Sequence, residues 1–420
     1  MPTLDQTSSS MRAAAKAAFL YALPLTEIAL LRARMLNAGI PAGRFHPQKG
    51  LATPADRFVT TPNNDTIYAN AFIDLRQGPA TLTIPALGDR YASLYLMDMF
   101  SNSIAVLGTR TTGQQGASFT LVGPADAAPP GAVRSPTPWV WAMARVLVNG
   151  PDDVAAALAV LHRFDCESSP SKATVAPGAD RSGPWQAWMR AANALMLENP
   201  PPATDRKILQ CMAPLGLGSA EFDPTRFSVA DAAQVAAGIE DAKKIALSAG
   251  FGGARLGHWL FPAPDMGTFG QDYVTRARIA VAGLAALPNA EAMYIAALSP
   301  EGSPAFDGDG LWRLRFAAAT LPPVEAFWSL TMYELEPNGA LFLSPNAIHR
   351  YSIGDRTPGL QRDEDGSLTI WISRADPGGD KSANWLPAPA QGPFVMILRT
   401  YVPQAELVMQ RYIPPPLEAL

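Results

Sequence analysis

The chain has 420 residues, of which 48% are hydrophobic and 17% are charged, and its formal net charge is −4. This length allows two or three domains of about 150 residues each. The acidic balance and the lack of a Lys/Arg-rich run argue against nucleic acid or a membrane surface as a partner. The two cysteines, Cys166 and Cys211, lack metal-site spacing and fit a reducing compartment, so we expect a soluble, cytoplasmic protein.

An apolar segment near the N-terminus predicts a helix over residues 10–37, which ends near Gly39 and bends at Pro24. Its composition partly resembles that of a signal peptide. Because Glu27 interrupts the apolar run and no small-residue cleavage site follows, we interpret it as an amphipathic helix of the folded protein. We expect no segment of the chain to be long and apolar enough to span a bilayer.

Residues 60–68 join a polar turn to a strand. From Ile67 onward the apolar residues alternate, which is the period of a half-buried strand. The same phase directs Asp65 inward, where an unpaired carboxylate costs roughly several kcal/mol. Two interpretations follow: Asn63, Asn64 and Asp65 cap a tight turn through their side chains, or they form a polar cluster that faces a ligand.

Turn signals divide residues 66–148 into about five strands, a spacing typical of a β-sandwich. The pattern becomes helical between residues 150 and 290. Ser228 and Asp231 form a capping box for one of these helices, and Gly250 would close it. The predicted helices cover residues 184–198, 204–213, 229–249 and 271–287, and the later strands cover residues 311–402.

The two β regions resemble each other in sequence. Three blocks recur in the same order, and a later strand of each region carries one arginine, Arg145 or Arg399, between apolar residues. This order predicts a duplicated sandwich with helices between the copies. The recurring blocks are residues 93–98, 107–113 and 118–121 in the first region and residues 329–334, 353–359 and 367–370 in the second.

Features found in both copies are most simply determinants of the fold. We therefore expect ion pairs between Arg110 and Asp98 and between Arg356 and Glu334, and we expect both strand arginines to be paired inside their sandwiches. Features found in one copy are candidates for function. These candidates are His46, Asn63, Asn64, Asp65, Tyr68, His349, Arg350, Tyr351, Asn384 and Trp385.

Several longer motifs resemble a known pair of modules. Residues 61–68, with Arg90-Tyr91 and Gly108-Thr109-Arg110, resemble domain of unknown function 1254; residues 327–333, 350–356 and 384–389 resemble domain of unknown function 1214. The resemblance implies an α+β, mainly β chain with an immunoglobulin-like sandwich, a helical domain and a C-terminal jelly roll. The expected boundaries are a lead-in at 1–60, the sandwich at 61–149, the helical domain at 150–290 and the jelly roll at 291–420.

The sequence excludes several kinds of chemistry. No G-x-S-x-G elbow occurs, and no glycine-rich phosphate loop follows a strand. The four histidines are widely separated, so a histidine-rich metal centre is not expected, although a mixed site with His46 and Asp65 stays open. No cofactor is predicted.

A polar cluster suited to proton transfer remains. Asp65 would act as the base, Tyr68 or His46 as the acid, and Asn63, Asn64 or Arg350 would hold a substrate oxygen. We expect an enzyme that hydrolyses, eliminates or isomerises a small, largely apolar molecule. The alternative is a protein that only binds a small molecule or a carbohydrate, and a homo-oligomer is possible for either. The binding residues in both cases would include Trp328, Asn384 and Trp385.

Overall fold

The computed structural model describes residues 4–57, 60–171, 175–248, 253–307 and 309–420. It has a mixed α+β fold in which most paired strands are antiparallel. Its helices are α1 (Leu4–Asn37), α2 (Thr109–Thr112), α3 (Val154–Leu161), α4 (Trp185–Glu198), α5 (Arg206–Met212), α6 (Val229–Leu247), α7 (Tyr273–Ala282) and α8 (Ala405–Val408).

The strands before the helical region form two sheets with the orders β1-β2-β8-β4-β5 and β7-β6-β3-β9. Seven strands, rather than about five, lie within the predicted range of residues 66–148, because the turn signals did not mark the breaks at residues 99–102 and 135–138. The strands are β1 (His46–Pro47), β2 (Thr66–Asp74), β3 (Ala80–Ile84), β4 (Ala92–Asp98), β5 (Ser103–Gly108), β6 (Ala117–Val122), β7 (Val133–Arg134), β8 (Trp139–Leu147) and β9 (Asp165–Glu167).

Two further sheets follow, with the orders β10-β11-β12-β19-β14-β15, where β16 also pairs with β14, and β18-β17-β13-β20. Strands therefore begin well before residue 311, which corrects the sequence interpretation. The alanine-rich β12 carries no strong strand signal. These strands are β10 (Arg255–Leu256), β11 (Trp259–Leu260), β12 (Ala292–Ala297), β13 (Trp312–Phe316), β14 (Val324–Leu335), β15 (Leu341–Phe342), β16 (Ser352–Gly354), β17 (Leu368–Ser373), β18 (Trp385–Pro387), β19 (Phe394–Pro403) and β20 (Leu417–Ala419).

Hydrophobic cores lie on both faces of the large sheets. Alternate residues of β2, β4 and β8 pack against the second sheet, and their other faces pack against α1 and the helices around it. A separate core lies between the two C-terminal sheets. Since the large sheets are covered on both sides, their strands read as nearly continuous apolar runs.

The helical predictions hold best where a cap is present. The Ser228 hydroxyl accepts a hydrogen bond from the Asp231 backbone N–H at 3.1 Å, and α6 begins at the next residue, as the capping box predicts. The predicted closing residue Gly250 lies outside the described residues. The predicted helix over residues 271–287 ends at Ala282 instead, because the chain turns there to enter β12. α1 continues through Pro24.

One helix within the described residues, residues 10–37 of α1, is long and apolar enough to cross a membrane, with a mean hydropathy of 1.4. The expectation that no segment meets this criterion is therefore wrong. Of the window that meets it, 72% is buried inside the protein, against the helices and the outer face of the first sheet. A buried core helix passes the same composition test as a membrane span.

The two large sheets share both strand order and register. Strands β2-β8-β4-β5 correspond to β12-β19-β14-β16. A Cβ added at Gly108 would lie 2.3 Å from the Ala92 carbonyl oxygen, and one at Gly354 would lie 2.2 Å from that of Trp328, so both repeats need glycine at the same point. The residues aligned across the three inner strands are Tyr68, Arg145 and Ser93 in the first repeat and Tyr294, Arg399 and Ser329 in the second.

Candidate functional site

Asp65 lies where the first repeat meets the second. Its side chain is only 4% exposed. The Ser329 hydroxyl donates to Asp65 Oδ2 at 2.6 Å, and Arg356 Nη2 lies 3.6 Å from Asp65 Oδ1. The turn itself is capped by Asn63, whose Oδ1 accepts from the Asp65 backbone N–H at 2.7 Å. Asn63 therefore acts as the cap, while the Asp65 carboxylate crosses to the other repeat.

Glu291 makes the reciprocal contact from the second repeat. Tyr91 donates its hydroxyl proton to Glu291 Oε1 at 2.8 Å, and Arg110 Nε donates to Oε2 at 2.6 Å. The two carboxylate residues also make equivalent backbone hydrogen bonds within their own repeats. The Val148 N–H donates to the Asp65 carbonyl at 3.0 Å, and the Val402 N–H donates to the Glu291 carbonyl at 2.8 Å. We call this contact region, in which each repeat supplies a carboxylate to an arginine of the other, the junction.

The Asn-Asn-Asp turn therefore has a counterpart, contrary to the sequence interpretation that it occurs in one copy. Pro62-Asn63-Asn64-Asp65, followed by Tyr68, matches Pro288-Asn289-Ala290-Glu291, followed by Tyr294. A glutamate in place of the aspartate, and a position just after a helical pattern, hid the match. Because features found in both repeats are most simply determinants of the fold, Asp65 and Glu291 are first assigned that role.

Both ion pairs that were expected within the repeats are wrong. Arg110 pairs with Glu291 rather than Asp98, whose carboxylate accepts two backbone N–H groups and the Asn102 amide. Arg356 pairs with Asp65 rather than Glu334, which binds Arg57 at 2.6 Å. Proximity in sequence misled the assignment, because the true partners lie on the opposite repeat.

The strand arginines also differ from expectation. Arg145 and Arg399 lie on the outer faces of their sheets and point into the junction, not inside the sandwiches. Each donates to a backbone carbonyl of a loop: Arg145 Nη2 to Ala285 at 2.8 Å and Arg399 Nη2 to Thr61 at 3.2 Å. Both acceptor residues have a positive φ, 68° and 54° respectively, which is uncommon for residues other than glycine.

Tyrosines fill the space around these arginines. The Arg145 guanidinium lies 5.3 Å from the Tyr68 ring centroid and 6.0 Å from that of Tyr95, which are cation–π distances. Tyr401 is fully buried, and burial raises the pKa of both Tyr401 and Tyr294 above the ordinary tyrosine value. The Asn63 amide donates to the Tyr401 hydroxyl at 2.6 Å, which ties the polar turn to this set.

Tyr68 and Tyr294 are partly accessible tyrosines of the junction. Both pack against the buried core that surrounds α1, yet both keep part of their surface accessible. Within the described parts of the chain the Tyr68 hydroxyl makes no hydrogen bond, whereas its backbone pairs with Gln48. A tyrosine hydroxyl in such a setting usually finds a partner, so Tyr68 is a candidate for contact with a ligand.

Two candidate residues lie away from this set. His46 is exposed on the edge strand β1, opposite Asn70, and roughly 13 Å of strand separates Asn70 from the end of β2 that adjoins Asp65. The structure therefore does not bring His46 to Asp65. The Asn64 amide donates to the Ala52 carbonyl at 2.7 Å and fixes the preceding loop.

The remaining candidates belong to the C-terminal sheets. Trp328 is buried in the core between them, and the Trp385 indole N–H donates to the Ser373 carbonyl at 3.0 Å. The Asn384 side chain is fully used by backbone groups on neighbouring segments. Arg350 Nη1 donates to two carbonyls, those of Ala383 and Trp385, so it braces the same loop.

Asp355 is a residue that sequence reasoning missed. Its side chain is 30% exposed, its carboxylate lies 3.6 Å from Arg356 Nε, and burial raises its pKa to about 6. The matching position of the first repeat holds Thr109, whose hydroxyl accepts from the Ala92 backbone N–H at 3.0 Å. Asp355 instead faces the Trp328 backbone N–H at 3.4 Å. A comparison of the two aligned repeats would have found it.

Two open grooves lie on the C-terminal sheets, with volumes of about 610 and 670 Å³. The first is lined by Trp371, Lys381, Asn384 and several carboxylates, and the Lys381 ammonium lies 4.6 Å from the Trp371 ring. Neither groove contains Asp65 or Tyr68. Across the described ranges no group of three His, Cys, Asp or Glu side chains could hold a metal ion, which gives no support to the mixed site of His46 and Asp65.

Comparison with known families agrees with the two repeats. Residues 42–168 match the family model described as Protein of unknown function (DUF1254), and residues 291–405 match the one described as Protein of unknown function (DUF1214). The chain belongs to the family that joins these two modules. Each matched range holds one large-sheet repeat of the DUF1254–DUF1214 chain, so the junction is where its two modules meet.

Two solved structures are similar to this chain. The VPA0106 protein from Vibrio parahaemolyticus is 21% identical, with a TM-score of 0.72 over 98% of this chain and 100% of that chain. An uncharacterized protein from Burkholderia cenocepacia is 13% identical, with a TM-score of 0.49 over 100% of this chain and 96% of that chain. The likeness to the Vibrio protein shows a shared fold. A search of curated proteins found no match.

Proposed function

We propose that the protein is an enzyme that acts on a small, largely apolar organic molecule by acid–base chemistry, at the junction between its two repeats. The observation that carries this proposal is the Tyr68 hydroxyl: it is partly accessible, makes no hydrogen bond to a described residue, and shares a sheet face with the Arg145 guanidinium. We infer that Tyr68, Arg145 and Tyr294 border a hollow, which we call the junction hollow.

The depth of Tyr294 supports the hollow. Tyr294 packs against the buried core around α1 and aligns with Tyr68 in the register of the repeats, yet part of its surface stays accessible. A deep residue with accessible surface borders a space rather than a packed neighbour. Aromatic rings line that space, and a few polar groups converge on it, as in most small-molecule sites.

The residues have different roles in this proposal. Tyr68 would donate a proton to a substrate oxygen in hydrolysis, elimination or isomerisation. Asp65 is the proposed base, and its carboxylate contacts the Ser329 hydroxyl and Arg356. His46 is exposed at the sheet edge and is not needed, so we leave it out of the catalytic set.

The test is turnover of a panel of esters, lactones and terpenoid-like compounds. We expect activity on at least one class, a loss of about 100-fold in kcat for Tyr68→Phe, and a similar loss for Asp65→Asn. Tyr351→Phe is the matched control, because its hydroxyl lies near the exposed His349. Full activity of Tyr68→Phe, or no turnover across the panel, would contradict the proposal.

A second candidate function has its own observation. The groove that contains Trp371 combines a flat ring, Lys381 and carboxylates on an open surface, which suits a carbohydrate. Oligosaccharide binding that is lost in Trp371→Ala and kept in Tyr68→Phe would favour this function. The two functions use separate surfaces, so one experiment distinguishes them.

We also propose the finer architecture. The first two sheets share one hydrophobic core, as an immunoglobulin-like sandwich requires, and the last two share another, as a jelly roll requires. The domain boundaries, a cytoplasmic location and a homo-oligomer remain predictions.

A further inference from the structure

We propose that Arg145 binds an anionic group, most simply a carboxylate, of the molecule that occupies the junction hollow. This inference rests on the proposed function for the hollow itself. It adds the class of substrate, an organic acid with an apolar body, and it assigns the residue that recognises the charge.

The guanidinium of Arg145 is buried without enough partners. The residue is 4% exposed, and only Nη2 makes a hydrogen bond, to the Ala285 carbonyl at 2.8 Å. Nε and Nη1 are buried and have no partner among the described residues. A guanidinium carries five N–H donors, and a buried charge is stable only when it is paired or fully hydrogen-bonded.

No carboxylate of the described residues lies within ion-pair distance of Arg145. The two nearby candidates, Asp65 and Glu291, are engaged by Arg356 and Arg110. The groups that act electrostatically on Arg145 are instead tyrosines, which are neutral at physiological pH. Arg145 therefore carries a positive charge that no carboxylate of the described residues pairs with.

The equivalent residue in the other repeat, Arg399, uses both terminal nitrogens of its guanidinium and leaves only Nε without a partner among the described residues. Arg399 donates through Nη1 to the Thr331 hydroxyl at 2.6 Å and through Nη2 to the Tyr333 hydroxyl and to a backbone carbonyl. Thr331 and Tyr333 correspond to Tyr95 and Met97 of the first repeat, by the shared register. The Met97 side chain offers no hydroxyl, so Arg145 keeps free donors that Arg399 has used.

The walls of the hollow indicate the rest of the ligand. The rings of Tyr68 and Tyr95 stand beside the guanidinium. Such walls favour an aromatic or alicyclic body over a sugar or a phosphate ester. A singly charged carboxylate would neutralise the excess charge and accept hydrogen bonds from Nε or Nη1.

The experiment measures affinity for matched acids and amides by calorimetry at pH 7.5. The probes are benzoate, cyclohexanecarboxylate and octanoate, each beside its uncharged primary amide. We expect at least one acid to bind about tenfold more tightly than its amide, which is the usual contribution of a hydrogen bond to a charged group. In Arg145→Met this preference should disappear.

Arg276→Met is the matched control. Arg276 is equally buried, also donates to one backbone carbonyl and also stands among aromatic rings, but it lies beside Tyr21 and Phe100, not in the junction. We expect this variant to keep the preference for the acid. Arg145→Lys, which retains a charge, should keep part of it and serves if the methionine variant does not fold.

Equal affinity for acid and amide in the unmodified protein would overturn the inference, as would a preference that survives in Arg145→Met or an absence of binding by all three acids. Turnover without any preference for acids would leave the proposed enzyme standing and remove this inference. A preference for acids without turnover would support this inference and contradict the proposed enzyme.

Discussion

Asp355 offers a quantitative test of the electrostatics at the junction. Burial raises its pKa from 3.8 to about 6, so the folded protein favours the protonated acid. For such a group the stabilisation is complete below pH 4, declines as the pH rises from about 4 to about 6, and is absent above that range. A shift of about two units sets an upper limit of about 3 kcal/mol in the free energy of unfolding, and because Asp355 is partly exposed, solvent screening lowers this to about 1–2 kcal/mol.

Asp355→Asn replaces the acid by a neutral side chain of the same shape. We therefore expect the variant and the unmodified protein to have equal stability near pH 4 and the variant to be more stable by about 1–2 kcal/mol at pH 8. The assay is urea denaturation followed by tryptophan fluorescence at half-unit steps between pH 4 and pH 8.

The control is Asp153→Asn. Its hydrogen bond and ion pair with Arg90 lower the pKa of Asp153, so this variant should be less stable at pH 8 and approach the unmodified protein as the pH falls. A difference for Asp355→Asn that does not change with pH, or that has the opposite sign at pH 8, would refute the reasoning.

Two further results are expected. Gly354→Ala should lose about 1–3 kcal/mol in denaturation, since its Cβ would lie 2.2 Å from a backbone oxygen, whereas Gly50→Ala, which meets nothing within 4 Å, should be neutral. In the native state a thiol reagent should modify the exposed Cys211 but not Cys166, where burial raises the pKa to about 11; two rapidly labelled thiols would contradict the burial of Cys166.

Local signals predicted most of the secondary structure. The capping box at Ser228 placed the start of α6, and the alternation from Ile67 placed β2. The repeat in the sequence located the strand arginines at matching positions of both sheets. These features depend on neighbours in the chain, which is why the sequence alone was sufficient.

The junction could not be predicted in the same way. Asp65 meets Ser329 across 264 positions of the chain, and Glu291 meets Arg110 across 181. Arg110 and Arg356 are each closer in sequence to a carboxylate of their own repeat, so the sequence favoured the wrong ion pairs. Only the packing of one sheet face on the other shows that the repeats exchange partners.

A comparison of the two repeats still distinguishes features of the fold from candidates for function, but it does so through side-chain contacts rather than residue types. Asp65 has a counterpart, so its presence alone no longer marks a site. The repeats differ in the hydrogen bonds of their equivalent arginines. Arg399 donates to two hydroxyl groups, whereas Arg145 donates to no hydroxyl group among the described residues. This difference appears only when side-chain contacts are compared at matched positions.

The most direct test is the position of a bound acid in crystals soaked with the tightest-binding carboxylate of the panel. We expect density between Tyr68 and Tyr294, with a carboxylate oxygen within about 3.2 Å of Nε or Nη1 of Arg145. Density confined to the groove beside Trp371, with the space around Arg145 filled by protein or water, would contradict the account.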